Sequence, residues 1–151
     1  MLKANKISGA GFGKDIRFEV TASGSPIGTI NDTRSTFELD SRSFSITRSG
    51  VLAPELHLKS GDTLIATATQ KPLRNFYMLT VGGRDWTFKA IVLLATKFGL
   101  FEKETQIGTV SSGKYFSRAK DITADLPHEL PREVQMFLLA LFISKLMAPS
   151  N

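Results

Sequence analysis

The hydrophobic positions of this chain follow two different rules. From Val134 to Met147 the chain reads VQMFLLALFISKLM, and its apolar side chains, Val134, Met136, Phe137, Leu138, Leu139, Leu141, Phe142, Ile143, Leu146 and Met147, cover the whole circumference of a helix. A helix that is apolar all round is buried all round. Those side chains carry roughly 15–30 kcal/mol of gross burial free energy at about 1.5–3 kcal/mol each. The fourteen residues span roughly 21 Å at about 1.5 Å per residue, short of a hydrocarbon core of about 30 Å, and Lys145 interrupts them. The pattern predicts an internal core helix over about 131–147 rather than a membrane anchor. Pro131 suits its first turn, and Glu133 suits the positive end of its dipole.

Upstream the rule changes to short alternating segments separated by turn residues. IRFEVTA runs into Ser23-Gly24-Ser25-Pro26, then IGTI, Asn31-Asp32 and TFELDSRSFSITRS, with period-two alternation at Phe37 and Leu39 and again later at Phe44 and Ile46. PELHLKS, Gly61-Asp62, TLIATAT, a turn at Pro72, NFYMLTV, Gly82-Gly83 and RDWTFKAIVLL repeat the pattern, as do GLFEKE, Thr105-Gln106, IGTV, Ser112-Gly113 and KYFSRAKDI. Aligning Gly28, Ala66 and Gly108 defines three units, each followed by an aromatic: Phe37, Phe76 and Phe116. A unit of about four strands cannot bury its apolar face alone. Three units predict about twelve strands.

Geometry reaches the same count. A sheet packed about 10 Å from a central helix has a circumference near 63 Å, and tilted strands occupying roughly 6 Å each fill it with about ten to twelve. The fold expected is mainly β: an antiparallel barrel of about twelve strands enclosing a hydrophobic C-terminal helix. Residues 1–14 are expected to be a flexible lead-in and 15–151 a single domain. Gly28 and Gly108 fall mid-strand, where glycine marks a bulge or the close approach of something bulky; the helix is one such neighbour. A barrel plugged by a helix is expected to lack the usual interior pocket.

With 42% hydrophobic residues, including eleven Phe, the 151 residues can build one core. The net charge of +5, from 19 basic and 14 acidic residues, is scattered rather than blocked, which favours loose attraction to anionic surfaces. Cysteine is absent, which excludes disulfides and thiolate chemistry. The N-terminus lacks an apolar stretch of signal-peptide type, so a cytoplasmic location is expected, with peripheral membrane attachment as its variant.

Most motifs fail on spacing. SGAGFGKD has three residues rather than four between Gly9 and Gly13-Lys14, and Asp15 stands where a P-loop needs Ser or Thr. The only histidines are His57, in an alternating strand, and His128, in a loop between prolines. No zinc, metalloprotease or nucleophile-elbow spacing is present. No metal site, no cofactor and no catalysis are therefore expected, although an enzyme with an unrecognised surface cleft remains an alternative. Lys71 and Arg74 flank the Pro72 turn and Arg84 follows Gly82-Gly83; if those turns share one end of the barrel, the three form an anion or lipid headgroup site. Trp86 alternates with Phe88 and reads as core. Clustered basic residues with stacking aromatics are not evident, so nucleic acid is not an expected partner.

The order of IGTI, TLIATAT, NFYMLTVGG, IGTV and ITADLP before a hydrophobic helix resembles the group of tubby C-terminal domains, phospholipid scramblases and LURP-one-related proteins, over about Phe18 to Met147. The resemblance implies a twelve-stranded barrel around a buried C-terminal helix. It also implies a binding module for anionic phospholipid or phosphoinositide headgroups, or for a protein partner. A tail-anchored, scramblase-like membrane protein is the alternative. Scramblases carry a calcium-linked acidic segment before the last helix; here only Asp121 and Asp125 remain, without the close alternation of acids that a calcium loop needs.

Overall fold

The computed structural model describes residues 1–8, 14–71, 75–92, 96–113 and 121–148. Twelve strands form a closed antiparallel barrel in which each strand pairs with its sequence neighbours. In chain order they are β1 (Leu2–Ser8), β2 (Arg17–Ala22), β3 (Ser25–Asn31), β4 (Thr36–Leu39), β5 (Arg42–Ser49), β6 (Glu55–Ser60), β7 (Thr63–Gln70), β8 (Phe76–Val81), β9 (Arg84–Ala90), β10 (Lys97–Glu102), β11 (Thr105–Ser112) and β12 (Asp121–Asp125), followed by the helix α1 (Arg132–Met147). Every strand contributes at least one inward, buried apolar residue to a single core cluster, and α1 contributes Val134 and Met136 through Ile143 to the same cluster. Ten consecutive helical residues, Val134 to Ile143, are buried, so no face of α1 is left to solvent along that length. The expected barrel around a hydrophobic C-terminal helix is the observed one.

The pleat explains the core. Phe18 and Val20, Phe37 and Leu39, Tyr77 and Leu79, Trp86 and Phe88, and Phe98 and Leu100 occupy alternate positions of their strands and point inward. Rings from β8, β9 and β10 continue one another, with Tyr77 to Phe88 at 6.4 Å and Phe88 to Phe98 at 5.0 Å. Phe98 meets Phe142 of the helix edge to face at 5.5 Å, the arrangement that the ring quadrupoles favour.

Leu2–Ser8 is part of the barrel and not a lead-in. It lies between β12 and β2 and closes the cylinder, with Leu2 opposite Ala124 and Ala22, and Ala4 opposite Ile122 and Val20. Only Leu2 and Ala4 need face inward for this, and the lysines at 3 and 6 mask so short an alternation. Residues 9–13, which include most of SGAGFGKD, lie outside the described residues.

The threefold repeat has a structural counterpart. In each of the hairpins β2–β3, β6–β7 and β10–β11 the register slips by one residue, leaving Ile27, Ile65 and Ile107 without a partner immediately before Gly28, Ala66 and Gly108. A β-bulge is the extra residue that bends and twists a strand, and here one recurs every four strands around the barrel. The third unit is completed by β1, so the N-terminal strand supplies what the C-terminal repeat lacks. The aromatic markers do not follow the repeat: Ile30 pairs with Phe37 and Ala68 with Leu79, while Phe76 is displaced from that position and Phe116 is outside the described residues.

The neighbour that requires glycine is the next strand rather than the helix. A Cβ on Gly28 would run into the Glu38 carbonyl of β4, and one on Gly108 would lie 2.9 Å from the Asp125 carbonyl oxygen. Five tight turns, at residues 23–24, 40–41, 61–62, 82–83 and 103–104, gather at one pole. Ser23-Gly24, Asp40-Ser41 and Gly82-Gly83 have positive φ at both residues, matching the strand twist as type I′ turns do. The third unit turns at Lys103, φ +56°, and Glu104, two residues before the expected Thr105-Gln106. The longer connections gather at the opposite pole, towards which α1 runs.

Candidate functional site

Strand direction sorts the surface charges between the poles. At the loop pole Lys14, Arg17, Arg34, Arg48, Lys71 and Lys97 are exposed, against two exposed acids among the described residues, Glu55 and Asp121. The hairpin pole lacks such an excess: Asp40, Asp62, Asp85, Glu104, Asp125 and Glu129 are exposed at or beside its turns, and so are Lys3, Arg42, Arg84, Lys103 and Arg132. Some loop-pole charges are already engaged. Asp15 accepts hydrogen bonds from Asn31 Nδ2 at 3.0 Å and Arg34 Nε at 2.8 Å, which hold its carboxyl below the ordinary range. Glu55 lies 3.1 Å from His57 Nε2.

The same pole presents apolar surface. Val51 and Leu52, at the tip of the β5–β6 connection, are 92% and 85% exposed. Their loop is held at its base: Gly50 takes φ +86°, Pro54 is buried, and the Pro54 carbonyl accepts a hydrogen bond from Gln70 N at 2.9 Å. Two aliphatic side chains on an anchored loop are therefore held out in water beside the Arg48 end of β5.

Inside this pole the barrel is not completely plugged, contrary to the expectation that it would lack an interior pocket. The last turn of α1 leaves a cavity of about 270 Å3 against β3–β8. Ile30, Ile46, Leu56 and Leu141 supply apolar walls, and Asp32, Arg48, Tyr77 and Lys145 bring ionisable groups to it. Burial pushes the Tyr77 phenol up despite the nearby Arg48 charge, and burial raises the Asp32 carboxyl. Burial, together with repulsion from Arg48, lowers the Lys145 pKa. The Lys145 ammonium lies 5.9 Å from the centre of the Tyr77 ring. Only Lys145, as an interruption of the apolar run, hinted at this cavity in the sequence; the arrival of Arg48 beside it depends on the barrel closing.

Lys71, Arg74 and Arg84 do not assemble as one site in the described structure. Lys71 is exposed at the loop pole and Arg74 lies outside the described residues. Arg84 stands at the hairpin pole, a strand length of roughly 17 Å from Lys71. Successive turns of an up-and-down sheet must alternate between its ends. Arg84 is also engaged: it stacks 4.7 Å from the Trp86 ring centre, bonds Glu102 at 2.7 Å and approaches Glu129 at 3.7 Å.

Glu102 also accepts the Trp86 indole N–H at 3.1 Å. Trp86 is buried, so replacing Glu102 by Leu is expected to strand that donor and lower stability by about 1–3 kcal/mol in urea titration. Glu102→Gln keeps an acceptor and is expected to cost less than about 1 kcal/mol. Equal losses in the two variants would rule out the indole contact as the cause.

His57 is half-buried on β6 and His128 is exposed before α1; neither lines the cavity. Asp121 and Asp125 occupy opposite ends of β12. Among the described residues no group of three or more His, Cys, Asp or Glu could hold a metal ion, and no helix is long and apolar enough to cross a membrane. No protein-family model, no curated protein and no solved structure matches the chain.

Proposed function

We propose that the protein is a non-enzymatic, tubby-like binding module whose loop pole docks on an anionic phospholipid surface. The observation that carries this reading is the coincidence at one pole of six exposed cations with the projecting pair Val51 and Leu52. An anionic leaflet attracts each nearby Lys or Arg by about 1 kcal/mol, and aliphatic tips add burial free energy where they enter the headgroup boundary. The hairpin pole, where exposed acids and cations nearly balance, offers the same leaflet no comparable attraction, so the orientation follows from the loop pole. A cytoplasmic protein peripheral at the membrane is the location that accompanies this reading.

Co-sedimentation with phosphatidylserine-containing vesicles, beside pure phosphatidylcholine vesicles, tests the proposal. Binding is expected to require the anionic lipid and to fall as salt rises from 0.05 to 0.5 M, as the Debye length shortens. The double substitution Val51→Ser and Leu52→Ser is expected to weaken binding about tenfold or more. Vesicle binding indifferent to lipid charge and salt, or unchanged by the double substitution, would overturn it.

A further inference from the structure

The cavity at the loop pole combines Arg48 with a buried apolar wall and Lys145, which surface docking does not use. Its walls are hydrocarbon where Ile30, Ile46, Leu56 and Leu141 meet, while Arg48 and Lys145 bring two positive charges to one side of it. They are close enough for Arg48 to depress the Lys145 pKa, and neither has an ion pair with a carboxylate among the described residues. Two like charges held together are at lower free energy with an anion between them. Asp32 and the partial negative charge at the α1 C-terminus offset part of that positive charge, so the balance favours a singly charged ligand over a doubly charged one. The neutral Tyr77 phenol completes the ionisable groups at the cavity.

We propose that this cavity binds a medium-chain monocarboxylate, its head held by Arg48 and Lys145 and its hydrocarbon chain against Ile30, Ile46, Leu56 and Leu141. A guanidinium pairs with a carboxylate through two parallel hydrogen bonds, which gives the head its orientation. The 270 Å3 volume lies just below the roughly 300–1,000 Å3 of drug-sized sites, which limits the length of the chain. The cavity shares Arg48 with the proposed membrane face, but binding of a dissolved monocarboxylate in the absence of vesicles does not depend on that reading.

Calorimetric titration of the full chain with hexanoate, octanoate and decanoate, below their micellar concentrations and without vesicles, tests the proposal separately from the membrane reading. Each methylene that enters the cavity is expected to tighten binding about fourfold. Octanol, which has the chain without the charge, is expected to bind at least about tenfold more weakly than octanoate, and Arg48→Gln to weaken octanoate by about the same factor. Arg48 is exposed, so this variant is expected to keep the parent's thermal transition. Ala140→Leu, which fills the cavity and spares both cations, is expected to abolish the gain with chain length. Absence of saturable octanoate binding, or binding that neither lengthens with the chain nor weakens in the double variant Arg48→Gln, Lys145→Gln, would overturn the assignment.

Discussion

A chain ended after Pro131 is expected to show no cooperative unfolding transition and to expose the inner face of its sheet. The helix carries eight buried side chains larger than alanine between Val134 and Ile143, counting apolar residues only. At about 1.5–3 kcal/mol each they contribute roughly 12–24 kcal/mol of gross burial, which exceeds the roughly 5–15 kcal/mol net stability of an ordinary domain. Without α1 the inward Phe18, Phe37, Phe88 and Phe98 would border an empty or collapsed lumen. Phe142→Ala is the graded version. Its ring is fully buried against Phe98, so the change is expected to cost about 3–5 kcal/mol and lower the melting temperature by about 6–20 °C. A truncated chain that melts cooperatively near the parent temperature would show that the sheet carries its own core and that α1 merely occupies it.

Gly28→Val is expected to destabilise by at least about 3 kcal/mol, at the upper end of overpacking effects. The obstacle is the Glu38 carbonyl of β4, which is part of the backbone and cannot rotate away. β4 is pinned on this side by the pairs Gly28 with Leu39 and Ile30 with Phe37, and Asp40 N donates to the bulge residue Ile27 at 3.0 Å. Moving β4 aside would break this ladder. The second unit supplies an internal control, since Ala66 at the equivalent position already accommodates a methyl; Ala66→Gly is expected to cost only about 0.5–1 kcal/mol. Chemical denaturation of the two variants reads the contrast directly, and a Gly28→Val protein within about 0.5 kcal/mol of the parent would mean that the close approach at the first bulge exerts no constraint.

The elements easiest to find in the sequence were those whose local pattern and tertiary role coincide. The unbroken apolar run of α1 stated its own burial, and Gly61-Asp62 and Gly82-Gly83 announced their hairpins. Asp40-Ser41 was marked only by a slip of phase, since the apolar positions pass from odd at Phe37 and Leu39 to even at Phe44 and Ile46 across four polar residues; the chain turns there with positive φ at both residues. Leu2–Ser8 escaped for a different reason: its two inward side chains form too short a pattern, and its place is secured by pairing with strands far along the chain. The candidate site was less legible still. The three cations first considered together are near in sequence, but consecutive turns of a meander point to opposite poles. Arg48 and Lys145, nearly a hundred residues apart, share one cavity.

By itself the sequence determined the barrel-and-helix architecture, because alternation of period two and an all-round apolar helix each admit few ways of leaving water. It also determined the threefold recurrence of Ile-Gly-Thr or Ile-Ala-Thr, since each copy performs the same local act of bulging a strand. Closure by the N-terminal strand, the excess of cations at the loop pole and the unfilled cavity beside α1 were decided only in the tertiary structure. Those features depend on which distant strands meet and at which end each strand finishes, and a hydrophobic pattern read along one strand carries neither its partner nor its direction.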